Sequence, residues 1–408
     1  MNFYLSILLI LIFFPYVGFL PGYDTQPLYH VLSLPFVVFI LYKNIYNNNI
    51  KQNFFLFFII SSIIVSVTLF SDFSIQRVIK ILLPFYTIIS TYLLSRFSIK
   101  NNYLKKIIIY SFLFYLFVGT VQTFFDSEFL SFLTFRGTDI ISIETTGRGV
   151  SSLASEPSKF GKIINLFGLL FLFCTTQNNK KIFFKVFIIT FFSVLLLSKS
   201  VFALIFVLIT FLIYFILNFK PNLLKLFFIT TISISSLFLF SSLLINKYLP
   251  DSRIRFLVDL LFENPELLSK QGAFVKLFNP LICIEAYYHQ MINPNLVYFY
   301  SKLIPLSNGE LYLPLVENYY GGIFEVLNIL GVFGFIILTI FLTILIRQTK
   351  TNKNRALLLS ILPFLLIEGS LNTPTYWFCF FIITKNKKLI IDKTLITKFK
   401  SEFLITGK

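Results

Sequence analysis

Apolar positions in this chain neither alternate with polar ones nor recur on a single helical face. They come in unbroken runs of about 20 residues, the length that crosses a hydrocarbon core, and the first is MNFYLSILLILIFFPYVGFL. The runs predict spans at 3–20, 28–42, 53–70, 77–95, 107–124, 160–176, 182–198, 201–217, 223–245, 320–346, 355–371 and 374–384. In hydrocarbon every backbone amide must be satisfied within its own segment, so Phe- and Ile-rich runs become helices despite their strand-leaning propensities. A closed barrel is excluded because its strands alternate polar and apolar residues. The shortest runs, 28–42 and 374–384, either extend at their ends or re-enter the same side. The expected fold is therefore an all-α polytopic integral membrane protein of about 12 (10–12) transmembrane helices, a single transmembrane domain over 1–408, without an internal repeat of fixed period.

Composition sharpens this picture. A content of 56% hydrophobic residues with 55 Phe, and a mean hydropathy of +0.82, rules out an ordinary soluble domain. The net charge of +17 would suggest nucleic acid in a soluble protein, but the placement of the cations argues against such a partner. Alternate loops hold most of them: Lys43 and Lys51; Arg96, Lys100, Lys105 and Lys106; Lys180 and Lys181; Lys220 and Lys225; Arg347, Lys350, Lys353 and Arg355; Lys385, Lys387 and Lys388. The short connections Pro21–Pro27, Ser71–Gln76 and Leu371–Tyr376 carry neither Lys nor Arg. This is the positive-inside pattern, and it places both termini in the cytoplasm. The first run lacks a basic leader and a small-residue cleavage site, so it reads as a retained span. Cys174, Cys283 and Cys379 are far apart, and with only His30 and His289 no metal cluster is implied; Glu285 and His289, four apart, read as a structural contact.

Two outer segments, 125–159 and 246–319, interrupt the runs, and loops this long tend to carry function. They concentrate Arg136, Arg148, Glu156, Lys159, Arg253, Arg255, Lys302, Glu310 and Glu317, with arginines on the face where topology disfavours them. An anion at that surface would compensate them. Arginine's planar fork donates paired hydrogen bonds to phosphate, and Gly137, Gly147 and Gly149 allow backbone amides to approach it. The string SEPSKFGKIINLF then starts a helix, with Ser155 as the expected N-cap, Pro157 in the first turn and Glu156 beside the positive dipole end. Lys162 falls one turn inside. The bland alternative is solvated loop arginines beside a helix start that has no chemistry.

Gly147 eleven residues after Arg136, the string Gly147-Arg148…Leu153-Ala154-Ser155-Glu156-Pro157-Ser158…Gly161, and Ser252-Arg253…Arg255 resemble the O-antigen polymerase family (Wzy-type). Glu317-Asn318-Tyr319…Glu325…Leu330-Gly331-Val332-Phe333-Gly334 is similar to an element that these polymerases share with O-antigen ligases. Two departures stand out: the Arg-to-Gly spacing is not repeated in the second loop, where Arg253 meets Asn264 and Arg255 meets Glu266, and Glu317 stands where ligases place a histidine.

The resemblance implies a metal-independent glycosyltransferase of the bacterial cytoplasmic (inner) membrane, with its active site on the periplasmic side and two large periplasmic loops. It would join oligosaccharide repeat units on undecaprenyl diphosphate, the lipid-linked oligosaccharide serving as both donor and acceptor, for O-antigen, capsule or exopolysaccharide. Membrane lipid and a chain-length regulator are the further partners implied; nucleic acid and cofactors are not. Arg136, Arg148, Arg253 and Arg255 would stabilise the departing diphosphate, and Glu156 or Glu317 would serve as general base or orient an arginine. Gly147, Lys159, Lys162, Lys302, Arg77 and Lys80 would bind substrate, although Arg77 and Lys80 equally fit snorkelling side chains. A ligase would share this chemistry, whereas a flippase or other transporter would place ionisable groups near the bilayer midplane; Lys185, Glu325 and Glu368 are the residues to examine for that.

Overall fold

The computed structural model describes residues 2–18, 28–46, 75–98, 104–134, 149–175, 179–220, 304–305, 312–313, 325–349, 351–368 and 373–384. Among them are ten α-helices: α1 (Asn2–Phe13), α2 (Leu28–Tyr46), α3 (Ile75–Ser98), α4 (Leu104–Phe124), α5 (Pro157–Cys174), α6 (Lys180–Ser193), α7 (Val201–Phe219), α8 (Glu325–Gln348), α9 (Asn352–Pro363) and α10 (Pro374–Thr384). Two of them run on into π-helical turns, α6 through Val194–Ser198 and α9 through Phe364–Glu368. A two-residue antiparallel ladder, β1 (Ile304–Pro305) with β2 (Tyr312–Leu313), falls within the segment 246–319. The expected spans over 53–70 and 223–245 lie outside the described residues.

Four segments are long and apolar enough to cross a membrane: Leu104–Phe124, Pro157–Cys174, Lys180–Ser198 and Val201–Phe219. They are not equivalent. The second, α5, is 83% buried, against 33% for α4 and for α6 with its π turn. Around α5 pack α4, α6, α7 and α9, and its apolar residues Phe160, Ile164, Leu166, Phe167, Leu169 and Leu170 form the middle of the core. Small residues permit this closeness. A Cβ on Gly161 would lie 2.5 Å from the Ala203 Cβ on α7, so only glycine lets the two helix starts touch. Aromatic rings fill the remaining gaps, as in Phe13 against Phe167 and Phe378 and Phe206 against Phe364.

Several boundaries differ from the hydropathy reading. α1 ends at Phe13 and not at 20, α2 reaches Tyr46, α5 starts at Pro157, where the SEPSKF string put its first turn and three residues before the expected span, and α10 covers 374–384 as expected. Glu325 is the first described residue of α8 and Glu368 the last of the π turn after α9; Lys185 is exposed. α2 meets α3 through polar side chains: Tyr29 donates to Ser90, and His30 and Ser33 are hydrogen-bonded to Thr87 and Tyr86. These contacts give the polar groups of α2 partners.

Candidate functional site

Chain reversal brings the starts of α5, α7 and α10 to one end of the bundle, with the ends of α1 and α4 and both π turns. The contacts that establish this are Thr375 Oγ1 donating to Ile12 O, Gly161 against Ser198 and Ala203, and Phe364 stacked on Tyr376. Each helix start carries a partial positive charge from its aligned peptide dipoles, so three such ends create an anion-attracting mouth.

The segment leading into α5 is not a surface loop. Ser151, Ser152, Leu153 and Ala154 are fully buried, wedged between α4 and the turn after α6. Val150 N donates to Leu197 O at 2.9 Å, Ser152 N to Gln122 Oε1 at 2.8 Å, and Ser152 Oγ to Tyr115 O at 2.8 Å. Gln122 turns its amide nitrogen onto Phe129 O at 2.7 Å, so one side chain joins both halves of the described loop. A Cβ on Gly149 would fall 2.2 Å from Leu197 O, so this close approach requires glycine. Ser152 adopts a left-handed backbone, φ 50°, at the bend that aims the chain into α5.

Glu156, and not Ser155, is the N-cap of α5, because Pro157 with its fixed φ takes the first helical position. The Glu156 side chain takes none of the first-turn amides; its carboxylate accepts instead from Ser158 Oγ at 3.1 Å. Ser155 Oγ accepts from Lys159 Nζ at 3.0 Å, and the same ammonium lies 5.5 Å from the centre of the Tyr16 ring. Lys162, three residues on and so on the same helix face, is only 2% exposed, with Nζ 5.3 Å from the centre of the Phe202 ring. Among the described residues it is the one Lys, Arg, Asp or Glu that is buried.

Lys199 completes the described cations of the mouth, and the hydropathy reading passed over it. It sits between Ser198 and Ser200 with φ 48°, where the π turn of α6 gives way to α7. Ser200 Oγ caps α7 by accepting from Ala203 N at 3.3 Å. The clue was available: a lysine in the two-residue connection between the expected spans 182–198 and 201–217. Beneath the mouth lie Tyr16, Tyr115 and Tyr376, all buried; Tyr376 is hydrogen-bonded to Tyr16 and within electrostatic reach of Tyr115. Tyr115 OH and Ser151 Oγ have no hydrogen-bond partner among the described residues.

Of the residues singled out by sequence, the structure thus brings together Glu156, Lys159 and Lys162. Arg77 and Lys80 fall on the first two turns of α3. Arg136, Gly147, Arg148, Arg253, Arg255, Lys302 and Glu317 lie outside the described residues. No group of three or more His, Cys, Asp or Glu able to hold a metal occurs among the described residues. Deeper in the bundle, Thr210 Oγ1 donates to Asn165 Oδ1 at 3.1 Å, and Thr190 lies against Gly168.

The fold and this mouth define a helical protein with segments fit to cross a membrane and one buried ammonium behind a helix start. No protein-family model matches the chain, and no curated protein matches it either.

Proposed function

We propose that the chain polymerises oligosaccharide repeat units carried on undecaprenyl diphosphate at the periplasmic face of the bacterial inner membrane, releasing undecaprenyl diphosphate. In this reading about 12 spans place both termini in the cytoplasm, and the segments 125–159 and 246–319 are periplasmic loops. One observation carries the reading: Lys162 is buried immediately behind the α5 start, with Lys159 on the same face. Ionisable groups inside a membrane bundle are expensive and mark functional sites. The resemblance of the Gly147–Gly161 and Ser252–Arg255 strings to O-antigen polymerases supplies the substrate class.

The chemistry follows from charge. An acceptor hydroxyl attacks the anomeric carbon of the donor glycan while the bond from that carbon to the diphosphate oxygen breaks, its electron pair passing to the leaving group. The diphosphate gains one negative charge through an oxocarbenium-like state, so groups that bind it more tightly as charge grows lower the barrier. Lys159, Lys162 and the α5 start would hold it from the bundle side, and Arg136, Arg148, Arg253, Arg255 and Lys302 from the loops. Glu156, at the helix start, or Glu317 would take the proton of the acceptor hydroxyl.

The test is incubation of purified protein with a lipid-linked repeat unit. A glycan ladder is the expected product. A product formed only when a second, lipid A core acceptor is added would identify a ligase, and intact substrate would end the glycosyltransferase reading.

A further inference from the structure

Beyond the end of α4 the chain does not leave the bundle. Lys105 and Lys106 are exposed at the start of α4, and Phe124 stands about 27 Å further along at 1.5 Å per residue, close to the thickness of a hydrocarbon core. An exposed apolar stripe, Tyr110, Phe114 and Phe117, runs up this helix to Phe124 and on to Phe125. The residues that follow fold back down the helix. The Phe129 ring meets the edge of the Phe117 ring, 6.1 Å between centroids and two turns below the end of α4. Gln122 Nε2 holds Phe129 O from above, and Gly18 N donates to Leu133 O at 2.9 Å, tying the turn to the chain just past α1. A segment at this level must satisfy its own backbone, because lipid offers no hydrogen bonds. It does so along its length: Phe125 N and Asp126 N donate to Val121 O, Glu128 N to Asp126 Oδ1, Phe129 N to Asp126 O, Ser131 N to Glu128 O, Leu133 N to Leu130 O and Thr134 N to Ser131 O, all between 2.8 and 3.1 Å. Yet Phe125 is 83% exposed and Phe132 74%, whereas the charges of the segment gather at one turn, at Asp126 and Glu128.

We propose that residues 124–134 form a membrane-interface anchor, with Phe124, Phe125 and Phe132 seated in the acyl boundary of the leaflet opposite Lys105 and Lys106, and Asp126 and Glu128 at headgroup level. The bilayer is the occupant that fits: the exposed rings continue the lipid-side stripe of a membrane-length helix, and the backbone that carries them is already closed against a medium without hydrogen bonds. Aromatic rings at this depth fix the level of a span. Gln122 joins the same turn to Ser152, so the anchor also sets the height of the buried 149–154 segment and of the α5 start relative to the lipid surface. The proposal is independent of the glycosyltransferase reading and requires only that α4 crosses the membrane.

Trp377 is the only tryptophan of the chain and is fully buried, which makes fluorescence the direct test. Phe125→Trp and Phe132→Trp are each placed on a Trp377→Phe background, and the full chain is reconstituted in phosphatidylcholine nanodiscs. Emission is compared between ordinary lipid and lipid brominated on its acyl chains, and acrylamide is titrated from the aqueous side. Both new tryptophans are expected to emit at shorter wavelength than in the denatured chain, to lose intensity in brominated lipid, and to resist acrylamide. Emission at the wavelength of the denatured chain, with full acrylamide quenching and no effect of bromine, would place the rings in water and overturn the anchor. Resistance to both quenchers would mean that protein covers them, a second copy of the chain or another partner, and would overturn it equally. Where Trp377→Phe does not purify, the same readings are taken as the difference between each variant and the unaltered chain, whose buried Trp377 is common to both.

Discussion

Lysine is used in opposite ways at the two ends of this bundle. At the end where α4, α6 and α9 begin, Lys105, Lys106, Lys180 and Lys181 are exposed, and Lys353, half-buried, donates to Thr175 O and Oγ1 at the finish of α5. Lys180 lies 5.7 Å from the centre of the Phe219 ring, its stem on apolar surface and its charge in solvent. At the mouth, Lys159 is half-buried, Lys162 buried and Lys199 half-buried, each fixed by a neighbouring ring, hydroxyl or strained turn. A lysine in water costs little to keep. A lysine behind a helix start costs desolvation.

The sharpest break between the two groups is expected at Lys162. Lys162→Leu should lower the polymerisation rate by about 10² to 10³, the usual loss for one preorganised donor. Its thermal midpoint should hold or rise, because a well-packed apolar group replaces a buried charge. Lys106→Ala at the far end should leave both readings within error. Equal loss of rate in the two variants would mean that the ends do not differ in kind.

Next comes the contact that brings the two helix starts together. Gly161→Leu must push Ala203 and Ser198 away, and overpacking of this sort costs about 1–3 kcal/mol; chemical denaturation in micelles should show it, together with loss of ladder formation. Gln122→Leu acts through the buried segment. It leaves the Ser152 amide without its acceptor, at a cost of about 1–3 kcal/mol, and amide exchange over 150–154 should quicken before exchange in α4 does. The smallest effect belongs to the other end. Lys353→Met removes a favourable cation from the finish of α5, worth about 1 kcal/mol or less, and the rate should be untouched.

How far the molecule could be foreseen varies by element. The stretch 374–384 was legible to the residue because Pro374 allows the helix to begin and leaves no choice before it. Pro157 was visible too, yet the expected cap fell on Ser155. A proline preorganised for the first helical position hands the cap to the residue before it, and here that outweighed the better capping side chain of serine. Lys162 was singled out from its place one turn inside, but its depth was not readable, since it depends on Phe202 some 40 residues later. Burial of 151–154 was likewise hidden. Four small and apolar residues after two arginines look like loop, and only Gln122 and Leu197, arriving from other helices, make them interior.

What the sequence determined alone is the existence and type of the described helices, because in hydrocarbon each segment must close its own backbone hydrogen bonds, a requirement that 20 or so consecutive residues meet without outside help. Only the tertiary structure decided which cations are buried, which helix starts touch and how α2 pairs with α3, because these depend on side chains meeting across long separations in sequence, where shape and partner count and local hydropathy carries no information.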